Sequence, residues 1–333
     1  MKLTVLGAGC WGLTLAWLLS NNFEEVTIWG RTCDISEDLK VNKHTLKPLE
    51  VQLQDKVVVT DNLKEAISGA DIILSVIATS GTRDVCEKLK DAGIKPEQIL
   101  VNASKGIELP SLMRMSEVIK EVLPNQKLVI LSGPTLAKEV LAGKPTAACA
   151  ASTDMTAAEF VQKTCSVPGK FRLYTNSDVI GVELGGSLKN VIAIASGFAH
   201  EMGLGDNCAG TLLTRGMAEI VRVSVKLGAN PSTLYGLSGM GDLIATCSSP
   251  MSRNYTVGAM LGKGKKIDGI LKELGSVAEG VKTSRAICEL AKKLNIEVPV
   301  SNAIYEAVYT DITPQELLNK LMNRKLKEEE RYI

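Results

Sequence analysis

The chain has 333 residues, 45% hydrophobic and 23% charged, with 38 basic against 37 acidic side chains and a formal charge of +1. That balance argues against a nucleic-acid protein, which carries a marked basic excess, and leaves any anion site to a few placed cations and backbone N–H groups. At this length two domains are expected, together burying roughly 75% of the unfolded surface.

Up to about residue 177, short β-rich runs alternate with helical segments. The predicted strands are Leu3–Leu6, Glu25–Trp29, Lys56–Val59, Asp71–Ile77, Ile99–Asn102, Leu128–Leu131, Thr146–Ala150 and Phe171–Tyr174. The central ones are apolar almost throughout, as strands covered on both faces by helices must be. The pattern implies βα units and a mostly parallel sheet, an α/β domain over residues 1–177. Arg31 to Asp55 shows no clear strand and carries one short helix near Glu37–Lys43. Beyond Asn176-Ser177-Asp178 only helical periodicity remains, over Asp178–Gly203, Asp206–Leu227, Pro231–Tyr235, Arg253–Gly262, Glu279–Lys293, Asn302–Tyr309 and Pro314–Leu321. Asp178 and Asp206 are the expected N-caps and Gly228 a C-terminal stop, so residues 178–333 read as an all-α domain. Eight cysteines stand singly, without a C-x-x-C pair or a Cys/His cluster. This argues against structural zinc and reads as free thiols in a reducing cytoplasm. No secretory leader is read at the N-terminus, and no apolar run reaches the about 20 residues of a membrane span, so no stable membrane insertion is expected.

The first chemistry-bearing motif is Gly7-Ala8-Gly9-Cys10-Trp11-Gly12, lying between the strand at Leu3–Leu6 and a helix over Cys10–Ser20. In that context Gly7 allows the tight turn, Gly9 lets backbone approach a pyrophosphate, and Gly12 lets helix and strand pack closely. The pyrophosphate then meets the positive end of the helix. A strictly NAD-selective site would end the second strand in Asp or Glu, but the chain reads Trp29-Gly30-Arg31. With no carboxylate there and Arg31 at hand, NADP is expected to serve as well as NAD.

His44 and His200 lie in weak contexts for base chemistry. Lys189 is different, because it sits in a helix apolar nearly all round beyond Asn190, with Gly185 and Gly186 on its own face. A buried lysine there is a candidate general base; the alternatives are a snorkelling side chain or an ion pair with Glu183. Two further segments have the phosphate-binding character of small and polar residues. They are Asn102–Glu108, just after a strand, and Gly236–Leu243 continuing through Thr246 to Ser252-Arg253-Asn254. Gly239 and Gly241 are expected to need unusual backbone geometry. Arg253 at a helix start offers fork donors to an anion.

Taken with Leu131-Ser132-Gly133-Pro134-Thr135 and Leu188-Lys189-Asn190-Val191, these motifs make the chain resemble the bacterial NAD(P)-dependent glycerol-3-phosphate dehydrogenases over essentially its whole length. The Gly241-Asp242-Leu243 to Asn254 segment is the most specific, since related β-hydroxyacid dehydrogenases share the dinucleotide loop but lack it. The resemblance implies a Rossmann-like N-terminal domain and a C-terminal domain like that of 6-phosphogluconate dehydrogenase. It further implies reversible reduction of dihydroxyacetone phosphate to sn-glycerol 3-phosphate with NADH or NADPH, for glycerophospholipid synthesis, in a cytoplasmic homodimer. Carried over residue by residue, Lys189 is the general base with Asn190 beside it. Lys105, Gly133, Thr135, Asp242, Ser252, Arg253 and Asn254 line the substrate site. Gly7, Gly9, Cys10, Trp11, Gly12, Arg31, Lys105, Ala137, Arg253, Val277 and Glu279 face the cofactor. Cys10 stands where the family often has serine or alanine, and Thr135 where serine is common. A β-hydroxyacid dehydrogenase and a non-catalytic dinucleotide sensor are the competing readings.

Overall fold

The computed structural model describes all residues except 48, 276, 277, 327 and 330–333. It divides into two compact units, the first formed by Met1–Ser104 with Met115–Val179 and the second by Lys105–Arg114 with Ile180 onward. Ten residues that the sequence places in the middle of the α/β portion therefore belong to the helical body.

Unit 1 contains strands β1 (Lys2–Leu6), β2 (Glu25–Trp29), β3 (His44–Thr45), β4 (Val51–Gln52), β5 (Val57–Thr60), β6 (Ile72–Ser75), β7 (Ile99–Asn102), β8 (Lys127–Ser132), β9 (Thr146–Ala151) and β10 (Phe171–Asn176). Eight of them form one sheet in the order β10-β9-β8-β7-β6-β1-β2-β5. All its pairings are parallel except β8 with β9, so the expected mostly parallel sheet is present. Strand order reverses between β1 and β6, the place in an open α/β sheet where ligands bind. The helices are α1 (Cys10–Leu19), α2 (Glu37–Val41), α3 (Leu63–Ile67), α4 (Thr82–Asp91), α5 (Met115–Val122), α6 (Ala137–Leu141) and α7 (Met155–Cys165). Leu13, Leu15 and Leu19 of α1 are fully buried against the sheet, each stabilising the unit by about 1.5–3 kcal/mol. The small hairpin β3–β4 escapes sequence pattern because two-residue strands carry no readable alternation.

Apart from its Lys105–Arg114 segment, unit 2 is built of helices among its described residues: α8 (Val179–Glu201), α9 (Gly205–Lys226), α10 (Pro231–Leu234), α11 (Asp242–Cys247), α12 (Arg253–Gly262), α13 (Ile267–Leu274), α14 (Glu279–Leu294), α15 (Pro299–Tyr309) and α16 (Pro314–Met322). Helix α8 is long and apolar enough to cross a membrane, contrary to the expectation that no such segment exists, but most of it is packed inside unit 2 as its central helix. Helices α11 and α13 are not anticipated, the first being short and masked by its glycine-rich approach. Helix α9 starts at Gly205, so Asp206 lies in its first turn instead of capping it. Where α8 crosses α12 the backbones touch: a Cβ at Gly258 would fall 1.9 Å from the Ile194 carbonyl oxygen, and one at Gly197 1.9 Å from that of Tyr255. That crossing seats the N-terminal turn of α12 beside the middle of α8.

Candidate active site

In unit 1 the glycine turn follows β1 at the reversal of strand order. Gly7 has φ +114°, a conformation that favours glycine, and donates its N–H to the Trp29 carbonyl at 2.7 Å. At Gly12 a Cβ would meet the Gly7 carbonyl oxygen at 2.0 Å, so only glycine lets α1 rest on the turn. Gly9 differs from both. Its backbone is extended, with φ −80° and ψ 176°, and a Cβ there would meet nothing within 4 Å. Among the described residues nothing requires glycine at that position; the open space over the start of α1 suits a pyrophosphate. The first turn of α1 carries no acidic residue that would oppose an anion. Trp11 is set edge-on to buried Phe171, with centroids 6.5 Å apart, which anchors the turn.

Arg31, exposed just after β2, is engaged by a neighbour. Its guanidinium forks onto Asp34, with Nε at 2.7 Å and Nη2 at 2.9 Å from the two carboxylate oxygens. The hydrogen bond and charge of Asp34 push Arg31 up, and Arg31 holds Asp34 below the usual carboxylate range. Asp34 comes within reach because the chain turns back through Thr32–Asp34. Gly133 (φ +147°) and Thr135 form the loop after β8, where the Thr135 hydroxyl donates to the Gly133 carbonyl at 3.2 Å; Ala137 begins α6.

In unit 2 the two lysines singled out above converge on one carboxylate. Lys189 Nζ donates to Asp242 Oδ1 at 2.9 Å and to Thr246 Oγ1 at 2.6 Å; Lys105 Nζ donates to Asp242 Oδ2 at 2.7 Å. Asp242 and Lys189 are buried and Lys105 half-buried. Burial alone would raise the Asp242 carboxyl, but the two ammonium groups outweigh it and hold it below its ordinary value. Burial lowers Lys105 to about 8, against the upward pull of Asp242. Lys189 is therefore neither snorkelling nor paired with Glu183, whose carboxylate instead accepts from Arg114 at 2.8 Å.

The Gly239–Gly241 segment meets its expectation in a different way. Gly241 has φ −60° and Gly239 is not among the residues with positive φ. The constraint at Gly239 is space, since a Cβ would lie 1.9 Å from the Leu234 carbonyl oxygen. The segment makes one wide π-type turn, Leu237–Gly241, of the kind often found at functional sites. Its backbone lies on Gly185 of α8, about one turn before Lys189, and delivers Asp242 opposite that lysine. Thr246, four residues after Asp242 on α11, also donates to it at 3.1 Å. The i,i+4 spacing was the available signal for Thr246.

Asn190 and Asn254, both buried, meet through the crossing of α8 and α12. Asn254 Nδ2 donates to Asn190 Oδ1 at 2.9 Å, while Asn254 Oδ1 accepts the Gly280 N–H at 3.0 Å. This uses the Asn190 carbonyl oxygen as acceptor and ties Asn254 to the start of α14, where Glu279 is the first residue. Ser252 is taken up as the N-cap of α12, accepting the Tyr255 N–H at 3.3 Å. Arg253 is exposed at the first helical position and makes no ion pair among the described residues. Val277 lies outside the described residues. His44 pairs with Asp38 and His200 lies by Tyr255, both apart from this cluster.

A mostly parallel sheet with a glycine turn at its reversal point is the architecture of dinucleotide-binding proteins, and the buried lysine–aspartate–lysine cluster of unit 2 is suited to proton transfer. Comparison with known proteins narrows this. Residues 2–158 match the N-terminal part, and residues 178–319 the C-terminal part, of the NAD-dependent glycerol-3-phosphate dehydrogenases. The chain is 45% identical over 332 residues to the glycerol-3-phosphate dehydrogenase [NAD(P)+] of Listeria monocytogenes, covering 98% of this chain and 97% of that one. It is 44% identical over 329 residues to the protein of that name from Thermoanaerobacter sp., covering 99% of each. Among solved structures, the glycerol-3-phosphate dehydrogenase of Coxiella burnetii superposes with a TM-score of 0.91 at 31% identity, covering 97% of this chain and 99% of that one. The chain belongs to the NAD-dependent glycerol-3-phosphate dehydrogenase family.

Proposed function

We propose that the chain interconverts dihydroxyacetone phosphate and sn-glycerol 3-phosphate, with Lys189 as the proton-transferring residue. The observation that carries this is a buried lysine held on Asp242 and Thr246 with a second lysine on the same carboxylate. The glycine turn, with open space at Gly9, fits a dinucleotide, which when bound supplies or accepts the hydride at C2 of the substrate. In the reductive direction the Lys189 ammonium gives its proton to the C2 oxygen as C2 receives the hydride, so ketone, hydride and proton sum to the alcohol. Two ammonium groups against one carboxylate leave the cluster net positive, which stabilises charge developing on that oxygen. The Asn190 NH2 is a further donor to it. Arg253 is the cation for the substrate phosphate, because it alone of the motif Ser252-Arg253-Asn254 is not spent on internal hydrogen bonds.

The finer parts of the reading are a cytoplasmic homodimer whose product supplies the backbone for glycerophospholipid assembly. Eight free cysteines suit a reducing compartment. The deciding experiment is initial-rate oxidation of NADH and of NADPH with dihydroxyacetone phosphate, set against unphosphorylated keto acids. Turnover confined to the phosphorylated ketone is expected. Equal or faster turnover of a keto acid would move the chain to a hydroxyacid dehydrogenase, and no turnover of either, with cofactor still bound, to a sensor.

A further inference from the structure

We infer that the largely buried Arg114–Glu183 ion pair is a positioning device that sets Lys105 against Asp242, an assignment that rests on the catalytic reading of the lysine cluster. The chain enters unit 2 at Lys105 and leaves it at Arg114. Between these ends it folds as a small hairpin: Ile107 bridges to Arg114, the Glu108 N–H donates to the Met113 carbonyl at 2.9 Å, and the Leu112 N–H donates to the Glu108 carbonyl at 2.9 Å. Leu112 sits at φ +64°, a left-handed conformation unfavourable for leucine, which persists only where surroundings impose it. Those surroundings are the core of unit 2, into which Ile107 and Leu112 are sunk.

The hairpin lies along α8 at successive points. Arg114 meets Glu183 at 2.8 Å, the Ser187 hydroxyl donates to the Gly106 carbonyl at 3.3 Å, and Lys105 reaches the carboxylate that also holds Lys189. Glu183 and Lys189 are six residues apart, about 9 Å along a helix. The two apolar side chains already account for docking. A buried ion pair adds little net stability, because desolvating both charges offsets their attraction. What the pair adds is geometry, since a guanidinium–carboxylate contact has a preferred direction and holds the far end of the hairpin in register. With that end free, Lys105 would still belong to a docked loop but would no longer be held at one carboxylate oxygen.

The test is a double-mutant cycle with Glu183→Gln and Lys105→Met. Glu183→Gln keeps volume and leaves an amide oxygen that can still accept from the partner Arg114. The single variant is expected to lower kcat for dihydroxyacetone phosphate reduction about 10-fold, with KM for NADH changed less than about 2-fold; in the Lys105→Met background it lowers kcat less than about 2-fold further. The same loss in both backgrounds overturns the proposal, as does wild-type kcat in the single variant. Should Glu183→Gln fail to fold, Arg114→Lys, which keeps the charge, enters the same cycle and is held to the same criterion. A second readout needs no turnover. Acetylation of Lys105 by acetic anhydride, which transfers its acetyl group to Nζ and releases acetate, followed by peptide mass spectrometry, should quicken at least about 3-fold in Glu183→Gln while Lys189 is unchanged. An unchanged Lys105 rate refutes the positioning role. A wild-type chain inactive on dihydroxyacetone phosphate instead refutes the catalytic reading, which the labelling result does not address.

Discussion

Replacing Asp242 by asparagine removes the one carboxylate to which two lysines are bound, and its consequences can be followed through stability as well as rate. The side chain of Asp242 is 2% exposed, that of Lys189 7% and that of Lys105 18%, so neither ammonium can turn fully to water. Breaking a buried pair by deleting one partner costs about 3–5 kcal/mol, most of it the penalty of the uncompensated charge. The amide oxygen can still accept one bond, which places the expected loss near the lower end, about 3 kcal/mol. The sign of the pH dependence follows from Lys105. Its folded value of about 8 lies below the ordinary 10.5, so the folded state releases its proton first and stability rises with pH between the two. Without Asp242 its folded value falls further, and each further unit is about 1.4 kcal/mol. The stability gap between variant and wild type should therefore be widest below that lowered value and narrow as pH rises through 8. All three tryptophans, Trp11, Trp17 and Trp29, lie in unit 1, whereas unit 2 is helical. Urea unfolding followed by helical circular dichroism at pH 6.5 and pH 9 should show the loss, with a smaller change in tryptophan fluorescence. Turnover should fall at least about 100-fold, as for removal of an acid–base assembly. A loss below about 1 kcal/mol at pH 6.5, or one equal at both pH values, would refute the account of the cluster as two buried cations sharing one anion.

Lys189→Ala should lower kcat by at least about 100-fold while the cofactor still binds, measured by steady-state kinetics and NADH fluorescence; near-wild-type turnover removes its role as proton donor. Gly9→Ala and Gly12→Ala should part company: the first raises KM for NADH at least about 10-fold with an unchanged melting temperature, the second lowers the melting temperature because its Cβ has no room. A destabilised Gly9→Ala would show that the open space is not reserved for ligand. Asp34→Ala frees Arg31 and should raise the kcat/KM ratio of NADPH over NADH about 10-fold; an unchanged ratio means that this fork does not govern cofactor choice. Glu219, buried in α9, accepts the N–H groups of Val300 and Ser301 at the start of α15, and Glu219→Ala should cost about 1–3 kcal/mol for each buried donor left unpaired, read from chemical unfolding.

The sequence alone determined what depends on local pattern. Apolar strands, the glycine turn after β1, and the change to helices beyond residue 177 are written in periodicities of a few residues, and the observed elements follow them closely. Lys189 was legible for the same reason, since a lysine in an apolar helix declares its own burial. The resemblance of short motifs then named Lys105, Asn190 and Asp242, though not what each one touches. Tertiary structure decided the partners. Lys189 chose Asp242, 53 residues away, over the nearby Glu183; Glu183 took Arg114, 69 residues away; Asn254 turned to Asn190. It also set the Arg31 guanidinium on Asp34. Charges pair with whatever the fold brings within about 3 Å once water is excluded, and helix crossings set by Gly197, Gly258 and Gly185 are invisible to any window along the chain.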